Sequence, residues 1–179
     1  MSIATKTGDA GETGLMFGKR VSKNHPRVEA NGAVDEFNAT LGMARVSATH
    51  ALTSKWIAEM QADLVTLMGE LATLPEDLSK FEEKGFQRVA KEMVDKLDDW
   101  VTELEGKHKV NFMKWAVPGA AGSPAGAALD LARTVCRRAE RHVASLIEDG
   151  DIENVSILQY LNRLSDVCWL LARLEEKDD

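Results

Sequence analysis

Cysteine is nearly missing from this chain. Cys136 and Cys168 stand far apart within helical patterns, too few for a disulfide framework, and they read as reduced thiols in the cytoplasm. Basic excess is missing too: 22 lysines and arginines face 29 aspartates and glutamates, a formal net charge of −7, which argues against nucleic acid as a partner. No apolar run approaches the roughly 18 residues of a membrane span. The opening MSIATK has neither the apolar stretch of a signal peptide nor the arginine-rich length of a transit peptide. There is no nucleophile signature of the G-x-S-x-G kind. His25, His50 and His142 lack ligand-spaced partners, and the single E-x-x-H run, Glu105 to His108, is interrupted by Gly106, so no resident metal site is expected. An enzyme of this composition would draw its reactive group from a cofactor.

What the chain does have is helical periodicity. Its 179 residues, 44% hydrophobic and 28% charged, suffice for one domain over 1–179 with its own core. Val34, Phe37, Leu41 and Ala44 form a first apolar stripe; Trp56, Met60, Leu64, Leu67 and Leu71 form a second, ended by Pro75. A third runs through Phe86, Val89, Met93, Leu97, Trp100 and Leu104 to Gly106. After the loop VPGAAGSPAG come a fourth, Leu131, Val135, Val143 and Leu146, and a fifth, Val155, Leu158, Leu161, Leu164, Cys168 and Leu171. Five helices, each with one apolar side, predict an all-α five-helix bundle over 31–176. No strand-like alternation competes. Residues 1–30 are polar and Gly-rich instead, a flexible segment ahead of the bundle.

Chemistry concentrates in ARTVCRRAERH. Arg133, Arg137, Glu140 and Arg141 recur at helical spacing on one face, with Arg138 beside them. This is a local inversion of sign in an acidic chain. The rigid guanidinium fork suits phosphate and carboxylate, and Val135, Ala139 and Val143 occupy the core side, so the arginines face a cleft, a subunit boundary or solvent. Asp35, and Asn162 with Asp166 in NRLSD, are candidate counter-groups. The strip TKTGDAGETG combines glycines, which let backbone N–H groups approach an anion, with threonine hydroxyls and Lys6; Lys23 follows. It is compatible with a polyphosphate ligand and equally with an ordinary polar terminus.

TKTGD, KNHPRVEANGAVDEFN, VPG, ARTVCRRAER and YLNRLSD, in this order over nearly the whole chain, resemble the PduO-type ATP:corrinoid adenosyltransferases. The resemblance implies a five-helix bundle assembling as a homotrimer with sites between subunits. It implies transfer of the 5′-deoxyadenosyl group of ATP to the cobalt of reduced cobalamin, with Mg²⁺ held mainly through the triphosphate. A reductase and an adenosylcobalamin-dependent enzyme are the implied partners. Thr5, Lys6, Thr7, Gly8, Asp9, Thr13, Gly14 and Lys23 would wrap the nucleotide, with Arg137, Arg138, Glu140, Arg141 and Asn162 completing the site. Asp35 and Arg133 match an inter-subunit ion pair beside the corrin. Trp115 stands where the family carries a phenylalanine that displaces the lower axial ligand of cobalt; Phe112 is the alternative wedge. The loop after Pro118 is about two residues longer than the family pattern, and Asn31 replaces an aromatic. A cobalamin- or ATP-binding carrier or sensor on the same scaffold is the alternative reading, and a plain helical interaction module a third.

Overall fold

The structure, a computed structural model, describes residues 4–111 and 115–177. A polar strip leads into a two-stranded antiparallel ribbon, β1 (Glu12–Gly14) and β2 (Arg20–Ser22), with Thr13 opposite Val21. Six helices follow among the described residues: α1 (Pro26–Ser47), α2 (Ala51–Leu71), the short α3 (Leu78–Glu83), α4 (Lys91–Gly106), α5 (Pro124–Glu148) and α6 (Ser156–Glu175). The five long ones form the expected bundle. Helix α5 lies against both α1 and α6, α2 closes on α1, and α4 on α6. Between α4 and α2 the ring is completed by Trp56 and Trp100, stacked at 4.5 Å. Beside them Lys96 Nζ meets Asp63 at 2.6 Å, and the buried Tyr160 of α6 donates its hydroxyl to the same carboxylate at 2.7 Å.

Local chemistry sets the helix starts. Pro26 and Pro124 occupy first-turn positions, where their missing N–H is no loss. His25 Nδ1 accepts from Arg27 N at 3.2 Å, and Ser123 Oγ accepts from Gly126 N at 3.0 Å. The start of α2 is capped from a distance: the buried Glu175 of α6 accepts from Thr49 N at 2.9 Å, Thr49 Oγ1 at 2.6 Å and His50 N at 3.1 Å. Burial pushes this carboxyl's pKa up, but the donors of Thr49 and His50 outweigh it and hold the group below its ordinary value. Arg27, buried at the start of α1, donates to the carbonyls of Leu71, Thr73 and Asp151, tying α1 to the ends of α2 and α5.

The stripes of α1 and α2 are buried as read, and so are Leu97, Trp100 and Leu104 of α4, and Leu161, Leu164, Cys168 and Leu171 of α6. Each such side chain contributes on the order of 1.5–3 kcal/mol. Elsewhere the pattern misleads. The ribbon was not expected, because three-residue strands are too short for alternation to register. Helix α1 begins at Pro26 rather than near residue 31. Phe86 and Val89 precede α4, and Phe86 stacks instead on Phe81 of α3 at 4.9 Å. Leu131 and Val155 are 48% and 53% exposed; the core side of α5 runs through Leu129 and Ala132 instead. Cys136 and Cys168 are free, buried thiols. Burial pushes both upward, Cys168 to about 12. Among the described residues no helix is long and apolar enough to cross a membrane.

Candidate functional site

The arginines of α5 do not share one environment. Val135, Ala139 and Val143 point into the core, which turns the opposite side of the helix outward. Arg133 is half-buried, its Nε 3.8 Å from Asp130. Arg138 pairs with Glu36 of α1, so the carboxylate facing it is the neighbour of Asp35 rather than Asp35 itself. Glu140 accepts from Asn162 Nδ2 of α6 at 3.1 Å. Asp166 is taken by Arg163 at 2.9 Å, which also reaches Asp98 of α4; it is no counter-ion for α5. Arg137 and Arg141 remain. Arg141 Nη1 donates to the Arg137 carbonyl at 2.9 Å, and neither guanidinium has a carboxylate within 4.0 Å among the described residues. Two uncompensated cations one helical turn apart are a ready anion site.

The amino-terminal strip is exposed from Thr5 to Thr7 and at Asp9. Thr5 and Thr7 hydroxyls lie 2.9 Å apart, and Arg20 of β2 donates to the Thr7 carbonyl at 2.7 Å. Gly8 sits under the Lys23 ammonium: a Cβ added there would stand 3.1 Å from Nζ. The glycine therefore admits the lysine to the backbone, and in the same turn Asp9 N donates to the Lys6 carbonyl at 3.4 Å. Thr13 and Gly14 form one wall of a groove of about 420 Å³ whose floor includes Asn31, Gly32, Asp35 and Met68. The ribbon is clamped at its tip. Met16 N donates to Ala72 O at 2.9 Å, Lys19 Nζ lies 3.3 Å from Glu76 and 3.5 Å from Asp77, and Lys80 sits over the Phe17 ring at 4.5 Å. The hydrogen bond to Glu76 and the charge of Asp77 hold the Lys19 ammonium above its ordinary pKa.

Within one chain these two sets are not bonded to each other. No hydrogen bond or ion pair among the described residues joins residues 5–14 to α5, and Asp35 lies in the α1–α2 groove while Arg133 binds Asp130. Trp115 stands 80% exposed at a larger cavity, about 730 Å³, between the α4–α5 connection and the last turns of α6. Phe112, the alternative wedge, lies outside the described residues. Sequence reasoning passed over the far wall of that cavity. Trp169 and Arg173 are four residues apart on α6, and the guanidinium lies 5.2 Å from the indole centroid; the spacing of an aromatic and an arginine was the available signal. Arg173 also pairs with the buried Asp130 at 2.6 Å and with Glu176 at 2.6 Å.

Comparison with known proteins gives the same picture. A family model described as cobalamin adenosyltransferase matches residues 3–175. The corrinoid adenosyltransferase PduO of Citrobacter freundii is 35% identical over 178 residues, covering 99% of this chain and 51% of that protein. The cobalamin adenosyltransferase of Cupriavidus metallidurans is 39% identical over 175 residues, covering 96% and 86%. The chain thus spans about half the length of the PduO relatives, with 51% of each covered. A variant PduO-type ATP:corrinoid adenosyltransferase from Lactobacillus reuteri, solved with cobalamin and ATP, aligns at a TM-score of 0.82 and 32% identity, covering 97% of this chain and 92% of that one. Helical architecture, ordered motifs and full-length similarity converge: this chain belongs to the cobalamin adenosyltransferase family.

Proposed function

We propose that this chain transfers the 5′-deoxyadenosyl group of ATP to the cobalt of a reduced corrinoid substrate and releases triphosphate. The observation that carries the reading is the pair of guanidiniums, Arg137 and Arg141, that have no carboxylate partner among the described residues, on the exposed side of α5 in a chain of net charge −7. The corrinoid substrate's cobalt(I) supplies the electron pair that forms the Co–C5′ bond as the C5′–O bond breaks, so the protein needs no nucleophile of its own. Its task is to hold ATP in line and to stabilise negative charge growing on the leaving triphosphate. Arg137 and Arg141 meet the phosphate oxygens, Mg²⁺ travels with the triphosphate, and Arg138, Glu140 and Asn162 hold the row in register.

Thr5 to Asp9, Thr13, Gly14 and Lys23 supply the covering half from a neighbouring copy in a homotrimer. This is supported by the lack of any hydrogen bond or ion pair between residues 5–14 and α5, and by the absence of a partner for Asp35, both among the described residues. In that assembly residues 1–30 act as the nucleotide segment of a single 1–179 domain, and Asp35 of one copy faces Arg133 of the next beside the corrin. Trp115, a large exposed indole, displaces the lower axial ligand from cobalt, and loss of that ligand leaves the metal easier to reduce. The setting is the cytoplasm, where a reductase supplies the one electron that takes cobalt(II) to cobalt(I) and an adenosylcobalamin-dependent enzyme takes the product. Incubation of cob(I)alamin with MgATP and the protein tests the activity: a photolabile six-coordinate product and stoichiometric triphosphate are expected. Diphosphate or monophosphate without a Co–C bond overturns it.

A further inference from the structure

Arg20 of β2 has no place in the nucleotide set above, yet its side chain reaches into the middle of it. We infer that Arg20 is a positioning residue: by holding the Thr7 carbonyl it aims the Gly8 amide at the triphosphate. This rests on the adenosyltransferase reading above, with Thr5 to Asp9 as part of the nucleotide site. Arg20 Nη2 donates to Thr7 O at 2.7 Å, and Arg20 Nε lies 3.6 Å from the Glu12 carboxylate of β1. The rigid fork thus spans two acceptors: Glu12 sets its plane, and its other arm holds the strip.

The turns of the strip leave that carbonyl over. Asp9 N donates to Lys6 O, Gly11 N to Gly8 O at 3.2 Å and Lys23 N to Gly11 O at 2.9 Å. No turn uses Thr7 O, and neither the Thr7 nor the Gly8 N–H has an acceptor among the described residues. Thr7 C=O and Gly8 N–H belong to one planar trans peptide and point in opposite directions. Fixing the first on Arg20 therefore turns the second away from Arg20. Lys6, just before, holds a positive φ of 58°, a conformation that a lysine keeps only where its surroundings hold it. Gly8 has no side chain to screen its N–H, and the Lys23 ammonium already stands against it, so an amide and a cation meet at one residue. Arg20 is exposed and its charge is met by Glu12. The ribbon is clamped separately at its tip, through Met16 and Lys19. Removing the guanidinium thus frees the strip without releasing the ribbon.

The full chain is assayed for adenosylation of cob(I)alamin as wild type, Arg20→Ala and Arg20→Lys, with inorganic triphosphate as a second probe. Arg20→Ala should raise the KM for MgATP about five- to twentyfold, as loss of one charged hydrogen bond that preorders a loop allows. Inhibition by inorganic triphosphate should weaken by the same factor. The kcat and the KM for cob(I)alamin should stay within about twofold, and Tm within about 2 °C. Arg20→Lys still donates to the carbonyl and should recover part of the loss. The variant-to-wild-type ratio of KM should hold from low to high ionic strength, because a hydrogen bond to a carbonyl is not screened as an ion pair with phosphate is. An unchanged KM for MgATP, or triphosphate inhibition that does not follow it, overturns the role. A ratio that collapses in salt overturns it by making Arg20 a phosphate ligand. A lowered Tm with a raised KM for cob(I)alamin overturns it by making the residue structural. All of these leave adenosyl transfer intact, whereas a wild type without turnover removes that reading and this role together.

Discussion

Replacing Arg137 by alanine separates a functional from a structural arginine. Its guanidinium is exposed and has no carboxylate within 4.0 Å among the described residues; only its carbonyl is engaged, by Arg141, and alanine keeps that carbonyl. The substitution therefore removes no side-chain hydrogen bond or ion pair among the described residues, and alanine is the better helix former. Stability should stay within about 0.5 kcal/mol of wild type, which for a chain of this size moves Tm by about 2 °C or less. Catalysis should suffer far more. A donor aimed at developing charge is worth about 2.7–4 kcal/mol, so kcat/KM for MgATP with cob(I)alamin should fall about 100- to 900-fold. Arg137→Lys should recover only part, since a point charge replaces a fork that can bind two oxygens. The assay follows loss of the cob(I)alamin spectrum beside a thermal melt. Near-normal kcat/KM refutes the assignment. A melt lowered by more than several degrees refutes it differently, by making the residue structural.

Glu175→Gln should lower stability by about 1–3 kcal/mol, because a charged acceptor of three hydrogen bonds at the α2 start is lost. The folded pKa of Glu175 is held low, so its contribution is present above the unfolded value of about 4.3 and is lost as pH falls through the folded value. The gap between variant and wild type in urea melts should therefore close below about pH 4; a gap independent of pH contradicts this. Arg27→Ala leaves the carbonyls of Leu71, Thr73 and Asp151 without their shared donor. It should cost about 2–4 kcal/mol in urea unfolding at unchanged m, and a loss under about 1 kcal/mol would mean that water replaces the side chain. Cys136 and Cys168, buried with pKa values pushed up, should resist a thiol reagent in native buffer and react after denaturation. Fast native labelling would show that α5 and α6 open locally.

The sequence exposed the bundle where burial is one-sided and continuous. Val34, Phe37, Leu41 and Ala44 lie in one unbroken helix, and their spacing alone places them inside. Phe86 failed that test for a physical reason: it caps the short α3 through Phe81, and six residues cannot display a period. The α5 arginines were legible because four like charges contradict the sign of the whole chain. What each one does was not, since Arg138 is neutralised by Glu36, 102 residues away, and no local pattern announces such a partner. Arg27 sits inside a motif, KNHPR, that was quoted without a role; its burial depends on carbonyls from residues 71, 73 and 151, brought together only by packing. Trp115 was singled out on resemblance, whereas the cavity it borders exists only because α6 lies beneath the loop.

The proposed pairing of Asp35 with Arg133 supports a sharper test of assembly than any mass measurement. One chain lines the groove by the ribbon with Asp35 and sets Arg133 against Asp130 on α5, so the proposed Asp35–Arg133 pair is not one that it forms by itself. In a closed cyclic trimer every boundary uses Asp35 of one copy and Arg133 of the next. Asp35→Ala and Arg133→Ala homotrimers should each be impaired, since every boundary lacks one partner. Unfolding the two variants together and refolding them at equal amounts forms boundaries at random. A boundary is intact when its Asp35 comes from an Arg133→Ala copy and its Arg133 from an Asp35→Ala copy. Each condition holds half the time, so about a quarter of wild-type activity should return. Separately refolded variants, mixed afterwards, should recover none until subunits exchange. If co-refolding restores nothing, the two residues serve one site within a single chain or share no site, and the inter-subunit reading falls whatever the oligomeric state.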